Sequence, residues 1–325
     1  MSSDRAVRET NADAATSKLS CVKAGYYEDE FLPLFVRNHV KRNPIINRGY
    51  YVRVMVIRRI IDEFIRSHPD GCQMVILGAG TDTNGLHALK HTQSPLRVFE
   101  IDFPEVILRK AHVIDQHVCD RLAFLSVVGN VPETIQSLTG DVFYLGSRLS
   151  LIGHDLRKAP SELESKLQKA GFDKSVPTLF LSECVLIYMQ QSEADSVLEW
   201  IAQHSLDKDV SRMIAIYEQV NDRDPFGKMM VENLAGRGCA LSSIQPSMIV
   251  QHQRLVNAGF KSARVGLMSY FDRLVLQTRP EIIDEFEEYD MLQSHYAISL
   301  AWVPENPLLV HAASEIFERN DNISD

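Results

Sequence analysis

The chain is 325 residues long, with 45% hydrophobic and 24% charged residues, the profile of a globular protein rather than a fibre or a low-complexity chain. Its formal net charge is −9 and its longest basic runs are pairs such as Lys41-Arg42 and Arg58-Arg59; a nucleic-acid binder needs a basic face to neutralise phosphates, so that partner class is not expected. The apolar stretches are interrupted well short of the roughly 20 residues that cross a bilayer, and the opening MSSDRAVRETNADAATSK lacks the apolar core of a secretory signal, so no membrane partner, a cytoplasmic location and a disordered tail over residues 1–20 are expected.

After that tail, residues 29–42 and 47–68 carry apolar positions at spacings of three and four, including Tyr51, Val54, Met55, Ile61 and Ile65, which predicts two helices ahead of the first strand. Strands are expected at 73–77 and 97–101, followed by a helix over 104–118 whose Pro104 suits a first helical turn. A third strand over 149–153 precedes a helix over 161–170 that Gly171 stops. A fourth over 178–182 is followed by a helix over 192–204, and a fifth lies at 213–217. Helices are read over 225–234, 246–258 and 280–289, a sixth strand within 262–268, and a last apolar stretch over 295–303. Strands alternating with helices require a parallel sheet with right-handed crossovers, with a final antiparallel strand inserted at the edge. One domain over residues 21–325 is expected, its leftover segments at 26–68 and 221–258 acting as a lid.

Within this pattern, residues 74–102 read MVILGAGTDTNGLHALKHTQSPLRVFEID. Glycines straight after a strand admit a ligand to the backbone, and an acid about 20 residues on can accept ribose hydroxyls. A dinucleotide site wants a third glycine where this chain has Thr83, and Asp82 in the turn would repel a pyrophosphate at a helix N-terminus. The same acid suits a cofactor bearing an ammonium group and no phosphate, which favours S-adenosylmethionine; the alternative is that Gly78 and Gly80 merely turn a buried strand in another doubly wound fold. Ligands of open α/β sheets bind beyond the carboxyl ends of the strands. Here those ends carry Glu100 and Asp102, His154-Asp155, Ser182-Glu183 and Tyr217-Glu218-Gln219. Any one such acid can be a helix cap; together on one rim they mark a site, with Asp102 for the ribose, Asp155 for the adenine amino group and Glu183 for the amino acid end.

The cysteines, Cys21, Cys72, Cys119, Cys184 and Cys239, are odd in number and widely spaced, so neither a disulfide framework nor a zinc site is expected. Cys184 reads as a small packed side chain rather than a nucleophile. His87 with His91, and His112 with His117, read as surface histidines, without the His-Glu-x-x-His arrangement of a metalloprotease. No metal is expected.

Beyond the glycine turn, Ile46-Asn47-Arg48-Gly49-Tyr50, Phe99-Glu100-Ile101-Asp102-Phe103-Pro104, Asp155-Leu156-Arg157, Glu183-Cys184-Val185-Leu186-Ile187-Tyr188-Met189 and Tyr217-Glu218-Gln219-Val220-Asn221 closely resemble the leucine carboxyl methyltransferases. The resemblance runs from about Lys18 to Trp302, and several of its blocks lie outside the generic cofactor motif. It implies a class I S-adenosylmethionine-dependent methyltransferase, with a seven-stranded, mostly parallel Rossmann-like sheet. It also implies transfer of a methyl group to the α-carboxylate of the C-terminal leucine of the catalytic subunit of type 2A protein phosphatases. By the same resemblance the cofactor ligands would be Lys18, Arg53, Gly78, Asp102, Asp155, Leu156 and Glu183, beside Gly80 of the turn. Thr81 and Asn84-Gly85 depart from the family's usual turn and put the start of the following helix in doubt.

The chemistry asks little of the protein beyond geometry. A carboxylate is already an anion at neutral pH, so no general base is required; the site must align and desolvate it, and a guanidinium fork suits that work. Arg53 is the candidate, its alternative being a solvated helix arginine, while Tyr188 and Tyr217 would line a peptide tunnel or pack in the core. Rival readings are a methyltransferase acting on another carboxylate, of a modified tRNA base or a small metabolite, or a non-catalytic protein that binds the phosphatase. A tRNA enzyme of this kind would be expected to carry a long repeat domain after the catalytic one, whereas this chain ends soon after its last strand. A monomer is the default expectation.

Overall fold

The structure, a computed structural model, describes residues 4–36, 39–117, 122–125, 136–137, 142–145, 148–203, 209–275, 280–305 and 307–317; Cys119 lies outside them. In chain order the elements are α1 (Asp4–Lys23), α2 (Leu32–Phe35), α3 (Pro44–Arg66), β1 (Cys72–Leu77), α4 (Asn84–His91), β2 (Leu96–Asp102) and α5 (Pro104–His117). There follow β3 (Gln136–Ser137), β4 (Val142–Leu145), β5 (Leu149–Gly153), α6 (Pro160–Lys169), β6 (Thr178–Glu183), α7 (Gln191–Gln203), β7 (Arg212–Gln219) and α8 (Pro225–Gly236). The chain closes with α9 (Met248–Asn257), β8 (Ser262–Leu267), α10 (Met268–Phe271), α11 (Phe286–Gln293), β9 (Tyr296–Val303) and α12 (Pro307–Phe317).

The strands form one sheet of nine in the order β3-β4-β5-β2-β1-β6-β7-β9-β8. From β5 through β2, β1 and β6 to β7 the neighbours are parallel, and β9 runs antiparallel between β7 and β8. That stretch is the expected class I methyltransferase sheet with its inserted strand. The antiparallel pair β3 and β4 extends the β5 edge. The seven expected strands are thus present, and this pair lies outside them.

Both faces of the sheet are covered, which is why β1 reads as the unbroken apolar run CQMVIL, buried at every position. Successive side chains point to opposite faces. Met74 and Ile76 pack with Ile57 and Phe64 of α3, Leu86 of α4 and Leu309 of α12; Val75 and Leu77 pack with Leu163 of α6, Val197 of α7 and Leu255 of α9. Helix starts follow the capping rules: Asn43 caps α3 by accepting from the Ile45 N–H with Pro44 behind it, and Asp224 caps α8 by accepting from the Gly227 N–H at 2.7 Å.

Three expectations are corrected. The tail over 1–20 is helical from Asp4, and α1 buries Ala15, Lys18, Leu19 and Cys21; a helix whose exposed half is polar carries little apolar signal in the sequence. Of the helix expected over 29–42, the described residues form helix only in α2, because the Asp29 carboxylate accepts from the Phe31 and Leu32 N–H groups and from Arg58 and Thr83, fixing a turn there. The helix over 280–289 starts later, at Phe286, and reaches Gln293; Glu281 ahead of it accepts instead from Asn47 of α3 at 2.8 Å.

Candidate functional site

A cavity of about 780 Å³ opens at the carboxyl ends of the parallel strands, walled on the other side by α1, α3, α8 and α11. Its floor is the turn after β1. Gly78 and Gly80 have φ of +60° and +47°, the left-handed region that glycine enters without strain. A Cβ on Gly78 would stand 2.4 Å from Val185 Cγ2, so glycine there lets the turn close against the loop after β6. Gly80 meets another neighbour: its Cβ would stand 2.3 Å from Asn11 Oδ1 of α1. Gly80 is absent from the cavity lining, and its N–H serves the site indirectly by donating to Asp102 Oδ2 at 2.7 Å.

Asp102 lies at the end of β2, on the cavity wall, with its other oxygen accepting the Phe103 N–H at 2.6 Å. Burial pushes its carboxyl up against the pull of these donors. Glu100, two residues earlier, is not part of the site: it forms a fully buried ion pair with Lys110 of α5 at 2.6 Å. Gly85 supplies the close packing that the sequence reading left in doubt, since a Cβ there would meet Glu100 Oε1 at 2.7 Å; α4 starts one residue before it, at Asn84.

The acid of the turn finds a different partner from the one expected. Asp82 accepts the Asn84 N–H at the start of α4 at 2.7 Å, and its second oxygen accepts Lys18 Nζ at 2.6 Å. Its charge is thus met by a lysine of α1. Lys18 also lies 3.5 Å from Glu183, and Glu183 accepts Arg53 Nε at 2.7 Å and Asn84 Nδ2 at 2.9 Å. Lys18, Arg53, Asp82 and Glu183 form one buried cluster of zero formal charge, all lining the cavity. Arg53 is therefore no solvated helix arginine. Burial works against its charge and the Glu183 carboxylate more than restores it.

At the end of β5, Asp155 is gripped by Arg157, whose Nε and Nη2 donate to its carboxylate at 2.9 and 2.6 Å. Burial alone would raise Asp155, but these bonds hold it low. Arg157 also donates to Asp4 of α1 at 2.7 Å. Leu156 and His154 line the same end of the cavity. His154 is 3% exposed and neither ring nitrogen has a partner among the described residues; burial pushes its pKa down to about 4, so the ring is neutral at pH 7.

Beyond Arg53 the cavity turns aromatic. Tyr50, Tyr188, Tyr217 and Tyr296 line it, with Cys184 between. Tyr217 and Tyr296 stack at 5.3 Å with an interplanar angle of 18°, and the Arg53 guanidinium carbon sits 4.4 Å from the Tyr217 centroid. Burial disfavours the phenolates and raises the pKa of Tyr50, Tyr188, Tyr217 and Tyr296, and it pushes the Cys184 thiol up to about 12. These groups are neutral, so Cys184 is no nucleophile. Behind the wall, Glu218 accepts the Ile187 N–H at 2.9 Å and holds the turn that carries Tyr188.

The structure thus brings Lys18, Arg53, Gly78, Asp102, Asp155, Leu156, Glu183 and Tyr188 to one cavity and sets Gly80 just behind it. It adds Asn11, Tyr50, Gln293 and Tyr296. Asn11 and Gln293 sit on helical faces with no motif to mark them. Tyr50 lay inside the Ile46 to Tyr50 block but had no chemistry to single it out. His87 is half-buried beside His91, ring centroids 4.4 Å apart, rather than on the surface.

The family model for leucine carboxyl methyltransferases matches residues 6–202. Leucine carboxyl methyltransferase 1 homolog from Arabidopsis thaliana is 35% identical over 308 residues, covering 91% of this chain and 89% of that protein. Leucine carboxyl methyltransferase 1 from Bos taurus is likewise 35% identical, over 92% of this chain and 90% of its own. tRNA wybutosine-synthesizing protein 4 from Rattus norvegicus is 32% identical over 91% of this chain, which spans 44% of that protein. Among solved structures, a DUF574 family protein from Streptomyces avermitilis matches with a TM-score of 0.52 at 12% identity, over 80% of this chain and 86% of that one, a likeness of fold.

Proposed function

This chain belongs to the leucine carboxyl methyltransferase family and is an S-adenosylmethionine-dependent carboxyl methyltransferase, and from that premise we propose that its acceptor is the α-carboxylate of the C-terminal leucine of the catalytic subunit of type 2A protein phosphatases. The residues present fit the cofactor. The cluster of Lys18, Arg53, Asp82 and Glu183 offers two cations and two anions, so the zwitterionic amino acid end of the cofactor enters without a net charge imbalance. Asp102, Asp155 and Leu156 line the same cavity; in this reading Asp102 would hold the ribose and Asp155 with Leu156 the adenine, with glycine at Gly78 letting the turn close against Val185.

When bound, the cofactor supplies an activated methyl on a sulfonium, and the acceptor supplies the electron pair. The protein's part is to bring the two into line. The observation that carries the reading is Arg53, which stands where the charged cluster gives way to the aromatic channel. Its Nε is taken by Glu183, and its Nη atoms have no protein hydrogen-bond partner among the described residues. A carboxylate arriving along the tyrosine wall would meet that fork. Alignment of this kind contributes several kcal/mol, up to about 7–11 in the most favourable cases. With the phenols and the thiol neutral, no group in the channel competes for the methyl or is needed as a base.

The test is transfer of tritiated methyl from the labelled cofactor. Label should enter the isolated phosphatase catalytic subunit, be released by mild alkali as expected for an ester, and vanish when the terminal leucine is removed. Labelling of the truncated subunit would sink the leucine assignment, and labelling of tRNA in its place would favour the other carboxylate.

A further inference from the structure

At the acceptor end of the cavity, past Arg53, two glutamines are held in place with an oxygen to spare. Gln219 and Gln293 are 5% and 4% exposed, both line the cavity, and the Oε1 of each has no partner among the described residues. Gln219 closes β7 and is turned by its amide nitrogen, which donates to the Tyr296 hydroxyl at 3.3 Å. Gln293 ends α11 and presses on α3 so closely that a Cβ on Gly49 would stand 2.7 Å from its Nε2. A glycine inside a helix is unfavourable, and this one makes room for that amide. Buried carbonyl oxygens call for a donor, and an incoming carboxylate has none.

We propose that Gln219 and Gln293 form an acceptor subsite for backbone N–H groups, so that the enzyme selects a carboxylate that ends a peptide over one that ends a free acid. The inference rests on the leucine reading above and extends it to the chain behind the carboxylate. The spacing suits it. Gly49 and Arg53 are four residues apart on α3, about one turn or 5–6 Å, and Gln219 follows Tyr217, which stacks under Arg53, by two residues on β7. In a terminal residue the N–H lies about 2.5 Å from the carboxylate carbon. A carboxylate on the Arg53 fork therefore brings its own N–H, and the next along the chain, past the glutamines. A free amino acid would present an ammonium instead; the same oxygens can accept its N–H groups but supply no counter-charge, so its full charge would be buried beside the Arg53 cation.

The deciding experiment replaces the last peptide bond of the phosphatase catalytic subunit with an ester by semisynthesis, which swaps one N–H for oxygen and leaves leucine and carboxylate intact. The wild-type enzyme should methylate the ester-linked subunit with kcat/KM about tenfold below the native one, the scale of one hydrogen bond. The Gln219→Met/Gln293→Met enzyme should lose about tenfold or more on the native subunit, bind S-adenosylmethionine as before in a calorimetric titration, and no longer distinguish ester from amide. Equal rates of the wild-type enzyme on the two linkages would overturn the subsite and leave the leucine assignment standing. Failure to label the native subunit at all would overturn both.

Discussion

In the proposed reading Arg53 serves two ligands. Its Nε is fixed by Glu183 at 2.7 Å and its plane is laid against Tyr217, so the remaining fork is presented in one orientation between the cofactor end and the acceptor end. A lysine has a point charge and no fork. Arg53→Lys should therefore keep cofactor binding within a few-fold while kcat/KM for methylation falls about a hundredfold, the cost of losing alignment. Steady-state labelling and a cofactor titration on the same preparation measure the two effects; a variant as fast as wild type would remove Arg53 from the positioning role. Glu183 keeps Asn84 and Lys18 in that variant, which guards the fold. The strand-end acids were legible in the sequence because their position follows from the topology of any open parallel sheet. From the sequence, Asp102, Asp155 and Glu183 take roles and Glu100 stands beside them without one; partners distinguish the two acids of β2, since Glu100 is consumed by Lys110 while Asp102 is held by backbone N–H groups at the cavity wall.

At the scale of elements, the parallel strands were readable because both of their faces are covered, which leaves uninterrupted apolar runs. Helix α1 was not, because what holds it over the site is polar. Asn11 Oδ1 accepts both the Thr81 N–H at 2.9 Å and the Thr81 hydroxyl at 3.0 Å, Asp4 takes Arg157, and Arg8 pairs with Glu105 of α5. No periodicity of apolar residues announces such contacts, and a helix stabilised across a cavity resembles a solvated tail when only its composition is seen. The contacts run from α1 to the cofactor turn and to the Asp155 corner, so α1 closes the cofactor end of the cavity. Asn11→Ala removes the clasp on Thr81 at Gly80's position and should weaken S-adenosylmethionine binding about five- to tenfold, at about 1 kcal/mol net for the hydrogen bonds lost. The melting temperature without cofactor should change by only a few degrees. A calorimetric titration checks it, and an unchanged dissociation constant would leave α1 as packing alone.

The whole molecule carries its buried titratable groups in opposition, and pH separates them. His154 and His87 are pushed down by burial, to about 4 and about 3. Their folded values lie below the unfolded value near 6.5, so between those limits the unfolded chain binds more protons and stability falls as pH falls. Glu218 is pushed up by burial to about 7; its folded value lies above the unfolded one near 4.5, so in that window the folded chain binds more protons and stability rises as pH falls. The opposed signs blunt the acid response of the wild-type protein between about pH 6.5 and 4.5. Comparing variants isolates each contribution, because every other group cancels in the difference. His154→Asn should gain on wild type as the pH is lowered from 6.5 to 4, by about 1–2 kcal/mol in all, less than the full 1.4 kcal/mol per unit because the imidazole borders a solvent-reached cavity. Glu218→Gln should move the other way, losing ground to wild type from pH 7 down to 4.5, on top of a pH-independent penalty for turning an amide toward the Ile187 N–H. Urea unfolding of the three proteins at half-unit pH steps reads both slopes. Parallel curves for wild type and His154→Asn would show that the unpartnered imidazole protonates freely in the folded chain and that its cavity admits the proton.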